Sequence, residues 1–422
     1  MPLEQEPQQQ NRKLESISFR LWLLILLTGV GAGIFGGLLM KLLRLAQHLC
    51  YQYSQGNFLS GVKGVSGPHR VLVMIAAGLL AGVVLWLSHR TFGRTPPNLA
   101  KAVREGKGDL PQDVTLMSTL LSIVVVGMGA AIGREAALKQ AGGLVGAKLA
   151  EWTELTPEDR QLLVACGVGA GMAAAYNVPF GGALFTVEVL LRNVCLATVL
   201  PAFATSFIAT AVSWLLLPNE ATYKVPALFV SHSLLVWAVL AGPLLGYASV
   251  WFVRGIHWGK EHKPQKLEIL LAPIWALAAL GALAIPFPQL LGNGKDVVQL
   301  ALNEKAGIAL LCWLVVLRPV ATFCVLRAGI PGGLFTPTCA FGSLLGAVLG
   351  QAWSYLAPST DKRSYAVLGV AGVLAASTQA PISTLAFVLE LTRTTEPLLV
   401  PMMIVIAEAS LIYRRFESKT TY

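Results

Sequence analysis

The sequence predicts an all-α protein that crosses a membrane many times. Of its 422 residues, 55% are hydrophobic and only 13% are charged, which is too apolar for an ordinary soluble domain of this length. Uncharged stretches long enough to span a hydrocarbon core recur along the chain: Leu21 to Met40, Val71 to Ser88, Val114 to Gly133, Cys195 to Pro218, Leu234 to Val253 and Leu270 to Gly294. No soluble domain is left over between these stretches.

The ends of the chain indicate the topology. Residues 1–20 are polar, and the apolar run that follows has no small-residue cleavage site, so we interpret it as a retained span behind a short tail. Basic residues flank the apolar region on both sides, at Arg12, Lys13, Arg20, Arg414, Arg415 and Lys419. The positive-inside rule therefore predicts a multi-pass protein of the inner (plasma) membrane with both termini in the cytoplasm.

The net charge of +10 comes from basic residues that are scattered over short connections, without a basic arm or an aromatic-rich RNA motif. The charge is therefore attributed to topology and anionic membrane lipid, and no nucleic-acid partner is expected.

Two uncharged stretches are too long for one span and must break. Residues 161–187 are interrupted at Asn177, Val178 and Pro179. Residues 328–360 are interrupted at 329–333 (Gly-Ile-Pro-Gly-Gly) and, by this interpretation, again at Pro337, because proline removes a backbone donor and glycine permits tight turns.

The two halves of the chain resemble each other. The segment 133–146 matches 333–346 at an offset of 200, with two further glycines and a leucine coinciding after the first glycine. At an offset of 202, Pro179 matches Pro381 and Glu188 matches Glu390. We therefore divide the chain into a first membrane repeat, residues 21–218, and a second, residues 219–422.

Interrupted helices at matching positions of a repeat are typical of transporters, whose helix ends face a buried ion. Helix amino ends offer free N–H groups and a partial positive charge, which favours an anion as the substrate. Glu135, at the start of a glycine-rich apolar helix, is a candidate gate that occupies the anion's position and swings out when it is protonated or displaced. The alternative is a plain helix-start glutamate, or one paired with Arg134.

Three segments together resemble the signature segments of the CLC family of chloride channels and transporters, in the family's order. They are Gly133-Arg134-Glu135, the run 333–337 (Gly-Leu-Phe-Thr-Pro), and the run 174–179 (Ala-Ala-Tyr-Asn-Val-Pro) followed by Phe185 and Glu188. The likeness covers nearly the whole chain and is strongest to the short bacterial branch of voltage-gated chloride channels. It implies a homodimer with one pore per subunit, two inverted-topology repeats of tilted, broken helices, and no cytoplasmic regulatory domains.

The resemblance also implies roles for particular residues. Glu135 matches the gating glutamate. In the segment that begins at Gly333, the amides of Leu334 and Phe335 match those that hold the central anion. Tyr422 falls where the family places a tyrosine whose hydroxyl contacts that anion, although it is the last residue of this chain.

Three departures from the family pattern bear on mechanism. The first-half segment that normally supplies a serine to the anion contains Arg94 and Thr95 instead, and either is a candidate to face the site. Ala136-Ala137 replace the usual Gly-Pro after the gate. The position that follows Glu188, where exchangers carry a second, proton-passing glutamate, is Val189; Glu188 remains a possible proton path or an ion-pair partner of Arg192.

These observations predict chloride transport through a glutamate-gated pore of the channel type, with chloride as the transported ligand, no cofactor, no metal and no enzymatic activity. Proton-coupled chloride exchange and fluoride export on the same fold stay open as alternatives. An unrelated inverted-repeat solute carrier is a further alternative from another class.

Overall fold

The computed structural model describes residues 18–53, 56–93, 98–225, 231–303, 306–357, 361–393 and 396–417. These residues form seventeen α-helices, numbered here in chain order, and no β-strand lies among them. The helices of the first half are α1 (Phe19–Tyr51), α2 (Phe58–Gly64), α3 (Gly67–Phe92), α4 (Leu99–Arg104), α5 (Gln112–Gly127), α6 (Glu135–Trp152), α7 (Pro157–Tyr176), α8 (Pro179–Phe185) and α9 (Leu196–Ser213). A π-helical segment, Thr186–Leu191, continues α8.

The helices of the second half are α10 (His232–Glu261), α11 (Glu268–Leu283), α12 (Lys295–Leu302), α13 (Ile308–Arg327), α14 (Phe335–Trp353), α15 (Lys362–Thr378), α16 (Pro381–Thr392) and α17 (Leu399–Glu417). Short 3₁₀ helices cover Pro288–Leu290 and Glu396–Leu398. The all-α class predicted from composition is confirmed.

Five of the described helices, α1, α3, α9, α10 and α13, are long and apolar enough to cross a membrane. Four shorter apolar segments lie at Gln112–Gly127, Pro179–Leu191, Glu268–Leu283 and Pro381–Thr392. Large apolar side chains such as Leu49, Leu72 and Trp275 are mostly exposed on these helices, as expected where lipid replaces water as the solvent.

The long stretches break close to where the sequence predicts. α7 ends at Tyr176 and is capped by Asn177, whose backbone is left-handed (φ 58°), and α8 begins at Pro179. α13 ends at Arg327, and α14 begins at Phe335. The predicted further break at Pro337 is wrong, because Pro337 lies in the first turn of α14, where a residue has no intrahelical N–H partner to lose.

The helix boundaries recur between the two halves. α6 and α14 begin at Glu135 and Phe335, at the offset of 200 found in the sequence. α15 ends at Thr378 and is capped by Gln379, which repeats the left-handed capping residue Asn177 at an offset of 202. The similarity of the two halves therefore extends from residue identities to the positions at which helices stop and start.

The chain folds into two compact units. The first comprises residues 1–38, 96–116 and 138–220, and the second comprises 39–95, 117–137 and 221–422. In the first unit, α6 packs on α7 where Gly142 meets Gly167; in the second, α14 packs on α15 where Gly342 meets Gly369. A Cβ atom at any of these glycines would press on the backbone of its partner, so both contacts depend on small residues, as is common between membrane helices.

Candidate anion site

The amino ends of α6 and α14 are joined by a short antiparallel bridge within the second unit. The N–H of Gly133 donates to the carbonyl of Gly333 at 2.8 Å, and the N–H of Gly333 donates back to the carbonyl of Gly133 at 2.7 Å. Each helix starts two residues after its glycine, so the bridge places the first turns of the two helices side by side. The segments predicted to carry the gate and the anion donors are thus brought together.

Glu135 is completely buried at this point. One carboxylate oxygen, Oε1, accepts a short hydrogen bond from the backbone N–H of Phe335, the first residue of α14. The other, Oε2, accepts from the hydroxyl of Thr336 at 3.3 Å. The carboxylate therefore lies on the free donors of a helix amino end, a position that suits a negative charge.

The two bridging glycines leave the space that the carboxylate fills. A Cβ atom built on Gly133 would overlap the carboxylate oxygens of Glu135, and one built on Gly333 would overlap its side chain from the opposite strand of the bridge. No residue with a side chain fits at either position while Glu135 keeps this conformation.

Aromatic packing anchors the first residue of α14 beside the carboxylate. Phe335 is 9% exposed and its ring stacks edge to face on Phe387, with 5.0 Å between the ring centroids. This packing holds the start of α14 in place and limits the water around the carboxylate, which strengthens the electrostatic interactions there.

A fully buried arginine organises the loop behind the site. The guanidinium of Arg318 on α13 donates to the carbonyls of Leu290 and Gly292. The N–H of Gly292 in turn donates to the carbonyl of Gly129 at 2.7 Å, on the segment that leads to Glu135. Thr322, one turn after Arg318, donates its hydroxyl to the carbonyl of Ala131 at 2.8 Å. The approach to Glu135 is therefore held by side chains from α13.

The other residues singled out from the sequence fall in different places. Leu334 precedes Phe335 as the capping residue of α14 and its carbonyl accepts the N–H of Thr338. Arg94, Thr95 and Tyr422 lie outside the described residues. Their predicted contacts with an anion stay predictions.

Glu188 belongs to the first unit, where it lies in the π-helical segment Thr186–Leu191 and is half-buried. That segment ends at Arg192 in a left-handed conformation (φ 52°), and α16 ends in the same way at Arg393 (φ 46°). The predicted ion pair of Arg192 with Glu188 stays a prediction.

Sequence reasoning did not single out Thr336 or Arg318. Thr336 stands inside the motif 333–337, and a hydroxyl next to the predicted donors was a usable signal. Arg318 was identifiable only as a lone charge in an apolar helix, which is a general indication of function or of a buried partner. Among the described residues no cluster of His, Cys, Asp and Glu is arranged to hold a metal ion.

Comparisons with known proteins identify relatives of this chain. Residues 83–414 match the family model described as voltage gated chloride channel. The chain is 28% identical to the voltage-gated ClC-type chloride channel ClcB of Salmonella typhimurium, over 96% of this chain and 98% of the relative. It is 30% identical to ClcB of Shigella flexneri, over 90% of this chain and 92% of the relative.

Solved structures with the same fold include a slow cyanobacterial Cl⁻/H⁺ antiporter, with a TM-score of 0.84, 20% identity and 96% of each chain covered. A CLC-type fluoride/proton antiporter matches with a TM-score of 0.77 and 20% identity, over 94% of this chain and 95% of the other. Identity this low establishes the fold alone. Because the family model covers most of the chain and full-length relatives align over nearly all of it, this protein belongs to the voltage-gated chloride channel (CLC) family of membrane proteins.

Proposed function

We propose that this protein is a chloride channel whose conduction pathway is closed by the carboxylate of Glu135. The observation that carries the proposal is the hydrogen bond from the N–H of Phe335 to Glu135, because it places a side-chain anion on donors suited to a transported anion. Chloride and the carboxylate compete for the same group. Entry of chloride therefore requires Glu135 to leave, and Glu135 returns when the pathway empties.

The assignment of chloride rests on the relatives, which are named as chloride channels, and on the chemistry of the site. A backbone N–H, a threonine hydroxyl and a helix amino end bind a weakly basic anion without a full positive charge in contact with it. No chemical step is needed, so we propose transport and no enzymatic reaction. Fluoride export is the alternative, and measurements of anion selectivity distinguish it from chloride transport.

We further propose that transport is not tightly coupled to protons. Val189 stands where family exchangers carry a second glutamate, and a proton needs titratable groups or water to cross a low-dielectric region. Glu188 is the neighbouring carboxylate in the same π-helical segment, and coupled Cl⁻/H⁺ exchange through it is the second candidate function.

The quaternary structure and location are also proposals. We propose a homodimer in the inner membrane with one pathway per subunit, divided into repeats at residues 21–218 and 219–422 and with both termini in the cytoplasm. Support comes from the family membership and from the basic residues near the ends of the apolar region.

The deciding experiment measures chloride efflux from proteoliposomes at a defined voltage while proton movement is recorded. We expect chloride flux that bromide can replace, with no stoichiometric proton flux. The absence of anion flux from correctly folded, reconstituted protein would contradict the proposed function. The matched control is protein-free liposomes prepared from the same lipid.

A further inference from the structure

The segment that joins α5 to α6 lies directly before Glu135. Residues 128–134, called the strap here, follow the end of α5 at Gly127 and lead to Glu135, the first residue of α6. They belong to the second compact unit, as do α14 and the last turns of α1. Because the strap ends at the residue before Glu135, its position determines where the Glu135 carboxylate can reach.

A tyrosine hydroxyl holds the first residue of the strap. Tyr51, the last residue of α1, is buried, and its hydroxyl donates to the carbonyl of Met128 at 2.7 Å. The next residue, Gly129, has a positive φ of 120°, and a Cβ atom there would lie 2.7 Å from the Tyr51 hydroxyl oxygen. The hydroxyl therefore packs against the strap as well as binding it.

The ring of Tyr51 is itself held from behind. It packs edge to face on Phe58, with 5.1 Å between the ring centroids. A Cβ atom on Gly292 would lie 2.5 Å from the Phe58 ring, so that ring lies directly against the glycine backbone. The N–H of Gly292 in turn donates to the carbonyl of Gly129 at 2.7 Å. Tyr51, Phe58 and Gly292 thus form one packed layer that binds two consecutive carbonyls of the strap.

Other groups anchor the strap closer to Glu135. The hydroxyl of Thr322 donates to the carbonyl of Ala131, and the N–H of Gly333 donates to the carbonyl of Gly133. Main-chain groups bind the glycine carbonyls of the strap, whereas Tyr51 binds through its side chain. The anchor at Tyr51 can therefore be removed without changing a main-chain contact.

The strap must keep its place for the Glu135 carboxylate to stay on the N–H of Phe335. A Cβ atom on Gly133 would overlap both carboxylate oxygens, so the strap backbone lies in close contact with the carboxylate. A closely packed interior transmits a displacement from one contact to the next. A shift of the strap at its Tyr51 end therefore changes how firmly the carboxylate occupies its donor at the other end.

We propose that Tyr51 is a positioning residue for the gate: its hydroxyl holds the strap so that the Glu135 carboxylate can occupy the Phe335 N–H, and it thereby sets how strongly the carboxylate competes with chloride. The inference rests on the proposed function, in which the two anions bind the same donor. A competitor that is held less firmly lowers the chloride concentration for half-maximal flux and leaves the maximal flux unchanged. The net worth of one neutral hydrogen bond corresponds to about fivefold in an equilibrium, which is the size of the expected change.

The test measures chloride flux from voltage-clamped proteoliposomes over a range of chloride concentrations at one pH. Tyr51→Phe keeps the ring against Phe58 and removes only the hydroxyl, so the concentration for half-maximal flux falls about fivefold while the maximal flux stays parental. In the Glu135→Gln background, where the negative competitor is gone, adding Tyr51→Phe changes neither value. Tyr355→Phe, which alters a largely exposed tyrosine after α14, is the matched control and keeps the parental values.

Bromide soaks of crystals give a second measurement that does not depend on flux. At a subsaturating bromide concentration, anomalous density beside the Phe335 N–H is stronger in Tyr51→Phe than in the parent. Equal bromide occupancy, an unchanged half-saturating chloride concentration, or the same effect of Tyr51→Phe with and without Glu135→Gln overturns the inference and leaves chloride transport intact. Absence of chloride flux from the parent, Tyr51→Phe and Glu135→Gln alike, at equal reconstitution, contradicts the proposed function, while the bromide comparison still reports whether Tyr51 positions Glu135.

Discussion

The carboxylate of Glu135 accepts the backbone N–H of Phe335, a residue 200 positions further along the chain. This contact joins the amino ends of two helices that occupy corresponding positions in the two halves of the sequence. It places the negative charge of the Glu135 carboxylate on a backbone donor that a transported anion would use.

Neutral replacements of Glu135 are expected to raise chloride flux. Glu135→Ala removes the side chain from the Phe335 N–H, and Glu135→Gln removes its charge. A hydrogen bond to a charged group is worth roughly 1.5–3 kcal/mol, so flux limited by this block rises about tenfold or more. Flux from voltage-clamped proteoliposomes measures the change. Parental flux in both variants, at equal reconstitution, would show that Glu135 does not gate.

The amides of Leu334 and Phe335 are expected to bind the anion once Glu135 has left. Crystals of Glu135→Gln soaked in bromide should show anomalous density within hydrogen-bond distance of these amides and of the Thr336 hydroxyl. Parental crystals under the same conditions provide the comparison, with lower occupancy at the same place. Density confined to the protein surface at saturating bromide would remove the basis for this site.

A methyl group at Gly333 is expected to force the carboxylate of Glu135 from its place, because the added Cβ would overlap it. Gly333→Ala should therefore change both the basal flux and the response to Glu135→Gln. Gly307→Ala is the matched control, since a Cβ there meets no atom within 4 Å. Equal flux from Gly333→Ala, Gly307→Ala and the parent would mean that the carboxylate does not occupy this space.

The hydroxyl of Thr336 is expected to hold Glu135 in its closed position. Thr336→Val keeps the side-chain shape and removes the donor to Oε2. The loss of one hydrogen bond costs about 1 kcal/mol, which corresponds to a change in flux of about fivefold. Thr336→Ser keeps the hydroxyl and should retain the parental behaviour. A Thr336→Ser variant that matches Thr336→Val would assign the effect to packing and contradict the prediction.

Proton pumping is not expected. With an imposed chloride gradient and the voltage clamped near zero by potassium and valinomycin, external pH should stay constant while chloride moves. The physical reason is that Val189 offers no titratable group for a proton on its way to Glu135. Sustained uphill proton movement at a fixed ratio to chloride, abolished by Glu135→Ala, would establish an exchanger.

Much of the fold was accessible from the sequence because lipid imposes simple rules on length and polarity. The break before Pro179 and the start of α8 there follow from proline and from the left-handed residue Asn177. The same reasoning failed at Pro337, because whether a proline interrupts a helix depends on where the helix begins. That position was set by the bridge between Gly133 and Gly333, a long-range contact.

The amino-acid sequence alone indicated a membrane protein with two similar halves, and its resemblance to the CLC family singled out Glu135 and the amides of Leu334 and Phe335. The first conclusion rests on hydrophobicity, chain length and local backbone restrictions, which are readable one segment at a time, whereas the residue roles rest on the match of short motifs. The contact of Thr336 with the second carboxylate oxygen, and the hydrogen bonds of Arg318 to the carbonyls behind the site, are visible only in the three-dimensional structure. The contacts of Glu135 depend on which helix ends meet in space, and a separation of 200 or 201 residues along the chain leaves no local signal of that meeting.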